Sequence, residues 1–501
     1  MSHPQINNIL ILGGGTAGWM AAAAMSKFFA GQPVSIQLVE SPELGTVGVG
    51  EATVPVIRQF NRYLGLDEDS FIRRTQGSFK LGIEFCDWLQ PGSRYFHGFG
   101  DFGAAVQGVP AHQLWLRSQA LGNQASLLDY CFAAQAARHN CFAPPPDEPR
   151  LAAIAAFDYA YHFDAGLYAQ LLREWACERG VEHLQGQIQG ANLDPGNGDV
   201  ASVGLADGRT LNADFFIDCT GFHAQLMHCA LQVPYCNWSA HLPCNRALAL
   251  ACERREPLTP YTRATARSAG WQWRIPLQHR VGNGLVYASD YLSDERAERE
   301  LRHNLEGDAI GDIKRLRFTT GHREHFWYRN TLALGLAAGF LEPLESTSIQ
   351  LIQTGLLRFW ELLPSGANPA SVQDEYNRIT RAEYERLRDF LILHYCTNQR
   401  PGSDFWRYCR EQALPAALAH KIAVFRDSGR VPLYDNESYS EASWVAILTG
   451  QNIMPQHWAL QADQMPASQL VQLLEQRRRD IAAIVSKMPS HEYYLEHLAA
   501  H

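Results

Sequence analysis

The stretch Asn7-Asn8-Ile9-Leu10-Ile11-Leu12-Gly13-Gly14-Gly15-Thr16-Ala17-Gly18 decides the fold. Residues 7–12 form a short apolar run that ends abruptly in glycines, the pattern of a buried strand entering a tight turn. The run Ala21-Ala22-Ala23-Ala24-Met25 that follows is a strong helix former. Val34 to Val39 reads as a second strand, closed by Glu40. Strand, glycine turn, helix and strand make a βαβ unit. In the turn, Gly13, Gly15 and Gly18 hold the Gly-x-Gly-x-x-Gly spacing, with Thr16 and Ala17 opening the helix. The first glycine permits the turn, the second lets backbone approach a pyrophosphate at the helix N-terminus, and the third lets helix and strand pack closely. Glu40 stands where an acidic residue binds ribose hydroxyls. The bland alternative, a glycine turn with no ligand, does not account for strand, helix and acid all being in register. The fingerprint serves NAD and FAD equally.

Outward from this unit, 501 residues leave room for two or three domains or one large two-part enzyme. A hydrophobic content of 46% is enough for a sizeable core. The net charge of −9, with no block of like charge, gives no sign of a nucleic-acid surface. Met1 to Gln5 has no basic leader, and the run Ile9 to Leu12 is too short for a signal peptide or a membrane span, so a cytoplasmic protein without membrane attachment is expected. Eleven cysteines between Cys86 and Cys409 include no Cys-x-x-Cys pair, which predicts reduced thiols. Without a His-Glu-x-x-His element or a Cys/His cluster, no metal site is expected.

Pro42, Gly45, Gly48, Gly50 and Pro55 make residues 41–56 a glycine-rich strap, and helical pattern resumes over Val56–Leu64. Residues 143–149 carry four prolines and predict an exposed loop. Residues 180–220 read as short strands with turns at 194–199 and 207–208, ending in the strand Asp214 to Gly221. Residues 240–335 alternate like a sheet, and from about 346 the chain is mainly helical, with breaks at 401–402 and 427–429. The expected division is 1–345, a nucleotide-binding α/β module interleaved with a substrate-side sheet, and 346–501, a mainly helical region completing the pocket.

Trp271-Gln272-Trp273-Arg274-Ile275-Pro276 places two indoles on one face of an extended segment. Such residues are most often plain core aromatics, but beside a redox cofactor they would make a bulky dry wall. Two further segments resemble those of FAD enzymes of the aromatic-hydroxylase type: Asp214 to Gly221, and Leu332 to Gly339. The implied fold is mixed α/β, a Rossmann-like FAD-binding fold of the GR2 or aromatic-hydroxylase type, with an inserted sheet and a helical C-terminal region. Hydroxylases usually carry Gly-Asp where this chain has Gly335-Leu336.

Taken in order, the glycine loop, Gly48-Val49-Gly50-Glu51-Ala52-Thr53-Val54-Pro55, Lys80, Trp271 to Pro276, and Phe340-Leu341-Glu342-Pro343-Leu344-Glu345-Ser346-Thr347-Ser348 resemble the flavin-dependent halogenases of the tryptophan-halogenase type. The resemblance spans nearly the whole chain. It implies FAD, used as FADH2 with O2, and a halide, bromide or chloride, oxidised to hypohalous acid that passes through a tunnel to an electron-rich, indole-like ring. It implies cofactor contacts from Gly50, Ala52, Leu336 and Ile349 besides the glycine loop. Lys80 would be a buried amine that hydrogen-bonds the acid or, held neutral by burial, forms a haloamine. For a lone lysine on an apparent strand, a water-facing edge position would otherwise be preferred. Glu345 would stabilise the cationic ring intermediate and take its proton; the plain reading is a helix-start glutamate favoured by the dipole.

By the same resemblance, backbone at Thr347 and Ser348 would hold the halide. The second position is usually glycine in the family, and a positive φ there would strain serine. Trp271, Trp273, Ile275, Pro276, Phe340, Pro343 and Ser346 would line the tunnel, and His97 and Phe99 the aromatic pocket, with a surface-loop histidine as the alternative for His97. No convincing equivalent of the Tyr-Tyr and Glu element that grips free tryptophan stands in residues 430–465. The expected substrate is therefore indole, a substituted indole, or a larger or carrier-bound aromatic, with bromide supporting the reaction and free tryptophan a poor substrate. No second nucleotide fingerprint is present, which predicts a separate NAD(P)H-dependent flavin reductase; a homodimer follows from the family alone. The rivals are a flavin-dependent aromatic monooxygenase of the same fold and a non-catalytic FAD-binding module.

Overall fold

The computed structural model describes residues 6–41, 50–364 and 369–499. Residues 42–49 of the expected strap lie outside the described residues. The chain segregates into two compact units, each built from three segments: residues 1–77, 163–245 and 316–384, and residues 78–162, 246–315 and 385–501. This partition cuts across the 1–345 and 346–501 regions expected above.

In the first unit the opening strand, Asn8–Leu12, is central. It pairs in parallel with Ser35–Glu40 on one side and Phe215–Asp218 on the other. Glu182–Gln185 extends the sheet beyond Ser35–Glu40; Thr331–Ala333 and the antiparallel edge Trp327–Tyr328 extend it beyond Phe215–Asp218. Ile9 to Leu12 are almost wholly shielded from water, as a strand covered on both faces requires. The helix Thr16–Phe28 follows the glycines directly, and Gly18 to Met25 are buried along it. Strands Ile188–Leu193, Val200–Leu205 and Thr210–Asn212 form a small antiparallel sheet. Val200, Val203 and Leu205 join Leu10, Leu12, Val39 and Phe216 in one apolar cluster.

The second unit is organised on a seven-stranded sheet in the order Ala309–Arg317, Arg246–Cys252, Val281–Tyr287, Gly270–Pro276, Thr262–Arg267, Gly82–Cys86, Arg94–Gly98. All seven residues of Gly270–Pro276 are buried, so the strand is covered on both faces. Trp273 lies opposite Gly284 in the register. A Cβ at Gly284 would stand 2.0 Å from the Trp273 ring; glycine there makes space for the indole.

The sheet expected over 240–335 is interrupted by a helix, Asp294–His303. Ser293 caps it by accepting from Arg296 N–H, and Asp294 and Glu295 sit in its first turn, a good helix start. From Ser348 to Ala499 the regular elements are all helical among the described residues. All eleven cysteines are free thiols. No described helix is long and apolar enough to cross a membrane.

Candidate active site

The glycine loop has the geometry a dinucleotide needs. Gly13 has φ +102°, and a Cβ there would sit 2.4 Å from the carbonyl oxygen of Cys219. A Cβ at Gly18 would meet the Gly13 carbonyl at 1.8 Å, whereas one at Gly15 would meet nothing within 4 Å. The loop is therefore packed where it must turn and open where a pyrophosphate would lie. No side chain caps Thr16–Phe28, and no acidic residue occupies its first turn, which leaves the helix-end N–H groups to an anion.

Glu40 ends its strand beside Gly14, and His183 Nε2 lies 2.7 Å from its Oε1. His183 packs edge-on against Trp19. The histidine pairing was not legible in sequence, because 143 residues separate the partners. Gly335 has φ +61° and abuts Ala17. Leu336 and Phe222, beside this turn, are each 38% exposed; apolar surface left open there suits a flavin. Gly50 and Ala52 belong to a three-residue strand with both residues buried, and Ile349 is buried in the first turn of Ser348–Leu362. The loop, turn and open apolar surface fit FAD.

The segment 340–348 also belongs to the first unit. Phe340 ends a two-residue strand and packs against Phe318 and Phe222. Pro343 opens a short turn over Pro343–Glu345, and Glu345 is fully buried just before the start of helix Ser348–Leu362. The left-handed residue is Ser346, with φ +62°. Ser348 has no positive φ, so the strain expected from serine at that position does not arise. Helix Ser348–Leu362 starts with no side-chain cap. Thr347 is 1% exposed, and its hydroxyl has no hydrogen-bond partner among the described residues.

Lys80 belongs to the second unit. It closes the strand Ser78–Lys80, is fully buried, and holds its Nζ 5.2 Å from the centroid of Phe99. The water-facing edge position is thereby excluded. His97 lies on the strand Arg94–Gly98 at 1% exposure, not on a surface loop. Its ring contacts Phe99, Phe390 and Tyr439 at centroid distances of 6.1, 5.7 and 5.7 Å.

Trp271 and Trp273 are 6.1 Å apart, and Trp271 also lies 6.5 Å from Trp88 in a larger aromatic cluster. Ile275 and Pro276 finish the same buried strand. In 430–465, the region searched for an amino-acid clamp, Glu437 pairs with the fully buried Lys421. Lys421 Nζ also lies over Tyr434 at 4.3 Å and Trp444 at 4.6 Å. The charge of Glu437 is thus matched within the protein.

Two buried histidines support the strand of Lys80. His162 lies opposite Ser78 in the register; its Nδ1 is 3.0 Å from Ser78 Oγ and its Nε2 2.9 Å from Thr262 Oγ1. His491 Nε2 accepts from Phe79 N–H at 3.1 Å, and its Nδ1 donates to Leu258 O at 3.0 Å. Burial first, then the charges of Lys80, His491 and Arg274, holds His162 well below the usual histidine range. Burial lowers His491 to about 4, partly offset by its bond to Leu258. Neither residue is suggested by its local sequence.

The family model described as tryptophan halogenase matches residues 8–467. The chain is 34% identical to the tryptophan 6-halogenase SttH of Streptomyces toxytricini, over 99% of each chain. Its structure is similar to that of BrvH, a flavin-dependent halogenase from Brevundimonas sp. BAL3, with TM-score 0.95, 43% identity and 99% of each chain covered. It is equally similar to Xcc4156, a flavin-dependent halogenase from Xanthomonas campestris, with TM-score 0.95, 42% identity and 99% coverage of both. The chain belongs to the tryptophan halogenase family and is an oxidoreductase-type enzyme, a flavin-dependent halogenase.

Proposed function

We propose that this enzyme brominates an electron-rich, indole-like ring through hypohalous acid. When bound, reduced FAD with O2 supplies the oxidising equivalent that converts halide to that acid. Gly13, Gly15, Thr16, Ala17 and Gly18 hold the pyrophosphate, Glu40 the ribose, and Gly50, Ala52, Leu336 and Ile349 flank the flavin. The backbone at Thr347 and Ser348 holds the halide. Bromide is preferred because it is oxidised more readily than chloride.

Lys80 carries this reading. Its amine is fully buried, 5.2 Å from the centroid of the Phe99 ring, and in so water-poor a setting a hydrogen bond to a small polar oxidant is strengthened. Its ammonium donates a hydrogen bond to hypohalous acid and polarises the oxygen–halogen bond. The ring attacks the halogen, the oxygen leaves as water once protonated, and Glu345 accepts the proton lost from the ring carbon. Trp271, Trp273, Ile275, Pro276, Phe340, Pro343 and Ser346 line the route, and His97 and Phe99 bound the aromatic pocket. Trp271 and Trp273 keep the ring from the flavin, which favours halogenation over hydroxylation.

The pairing of Glu437 with Lys421 supports a substrate without an amino-acid head group, since that carboxylate is already matched. Indole and substituted indoles are accordingly better substrates than free tryptophan, although the relative SttH is a tryptophan 6-halogenase. A separate NAD(P)H-dependent reductase supplies FADH2, and the enzyme works in the cytoplasm as a homodimer. The test is a bromide-dependent mass shift. With reductase, FAD, NADH and bromide, indole gains bromine and L-tryptophan reacts slowly. Rapid tryptophan chlorination, or an oxygenated product without halogen, would overturn the proposal.

A further inference from the structure

The polar groups beside Lys80 are not used by the chemistry above, yet they form a closed network. Ser78 Oγ donates to the carbonyl of Pro276 at 2.7 Å. That spends its single proton, so the short contact with His162 Nδ1 is an N–H donated by the ring. The remaining nitrogen, Nε2, then accepts from the Thr262 hydroxyl when the ring is neutral. Ser78, His162 and Thr262 are 0%, 0% and 4% exposed, so water does not substitute for a lost partner. The network joins four strands: Ser78–Lys80, Ala160–Asp164 with His162, Thr262–Arg267, and Gly270–Pro276, which carries the paired tryptophans.

Strand geometry links this network to the amine. Ser78 and Lys80 project from one face of the strand, and Phe79 from the other. His162 faces Ser78 across the ladder, while Ala160 faces Lys80. His162 is therefore a diagonal neighbour of Lys80 on the same face, within electrostatic reach. On the opposite face, Phe79 stacks on Phe142 at 4.0 Å and packs against Tyr159, Tyr494 and His491. His491 also binds the Phe79 N–H. The strand is thus gripped by aromatic packing on one face and by hydrogen bonds on the other.

We propose that His162, through Ser78 and Thr262, is a positioning residue for Lys80. It fixes the amine against the tunnel strand and, being neutral, keeps a second positive charge away from it. The proposal rests on the assignment of Lys80 given under Proposed function. Its consequence is coupling. If Lys80 is misplaced, hypohalous acid still forms, but it escapes instead of reacting with the ring.

The experiment measures brominated indole and trapped hypobromite per FADH2 oxidised, together with FAD affinity by fluorescence. Displacements of about 1 Å cost up to ~10²-fold in catalysis, so His162→Leu should lower the product-to-trap ratio by at least ~10-fold, with FAD affinity within ~2-fold of wild type. His162→Asn, which keeps a donor where Nδ1 stands, should recover most of the ratio. Thr262→Val, nearly isosteric, should give an intermediate loss and serves if His162→Leu does not fold. A wild-type ratio in folded His162→Leu or in Thr262→Val, or a loss in His162→Leu that His162→Asn does not restore, overturns the inference. Lys80→Met separates the two claims: if it does not itself divert hypobromite to the trap, the assignment of Lys80 has failed, not the positioning argument.

Discussion

A lysine in a dry strand and a glutamate in a dry turn are uncommon in a protein interior. Lys80 and Glu345 are both at 0% exposure. Removing a positioned polar group from a reacting centre typically lowers kcat by ~10²–10³. Lys80→Met and Glu345→Gln should each lose that much halogenation in a product assay, while FADH2 oxidation continues. Ser346, with φ +62°, sets the turn into the proposed halide loop. Glycine tolerates this conformation and a β-branched residue does not. Ser346→Gly should keep most activity, whereas Ser346→Val should lose roughly 1–3 kcal/mol in denaturant unfolding and weaken the dependence of rate on halide. Retained stability in Ser346→Val would show that the turn can refold around it.

Single elements show which parts of this molecule were readable. The opening strand, the helix after the glycines and the second strand carry their signals within a few residues, and all three form where expected. The helix Val56–Leu64 likewise matches the expected span. The helix Asp294–His303 had a readable cap in Ser293-Asp294-Glu295, but the alternation of its surroundings concealed it. His162 and His491 could not be found this way: a single histidine in an apolar strand or at a helix start has no local mark, and their partners lie 84 and 412 residues away.

Gly284 presents the same difficulty, since its role appears only once Trp273 lies across from it. Overpacking a filled core costs about 1–3 kcal/mol. Gly284→Ala should therefore lower stability by about that amount and change tryptophan fluorescence as Trp273 is displaced. An unchanged spectrum would mean that the indole does not depend on this space.

At the scale of the whole molecule, the buried neutral histidines tie stability to pH. An unfolded histidine takes up its proton below about pH 6.5, whereas folded His491 does so only near pH 4. Between these values the unfolded state binds more protons, so stability falls as pH falls. For His491 the loss amounts to about 3 kcal/mol across the window; His162, also depressed, adds to it in the same direction. Burial raises Glu51 to about 7, which adds stability as pH falls through the same window, so the histidine contribution is read as a difference between variants. From about pH 6.5 to 4 the melting temperature of wild type should fall relative to that of His491→Asn; a difference that does not change with pH over this range would contradict the neutral assignment. The two compact units were less legible than the elements, because each is assembled from three separated segments. Sequence order alone does not reveal such interleaving.

The most direct test of the central claim is to follow one oxidised bromine. Wild-type enzyme, reductase, FAD, NADH, bromide and indole are combined with a hypobromite trap, and brominated indole is weighed against brominated trap by mass spectrometry. If Lys80 delivers the halogen, wild type brominates indole, and Lys80→Met oxidises FADH2 at a similar rate but sends the bromine to the trap. Undiminished indole bromination by Lys80→Met would contradict the account.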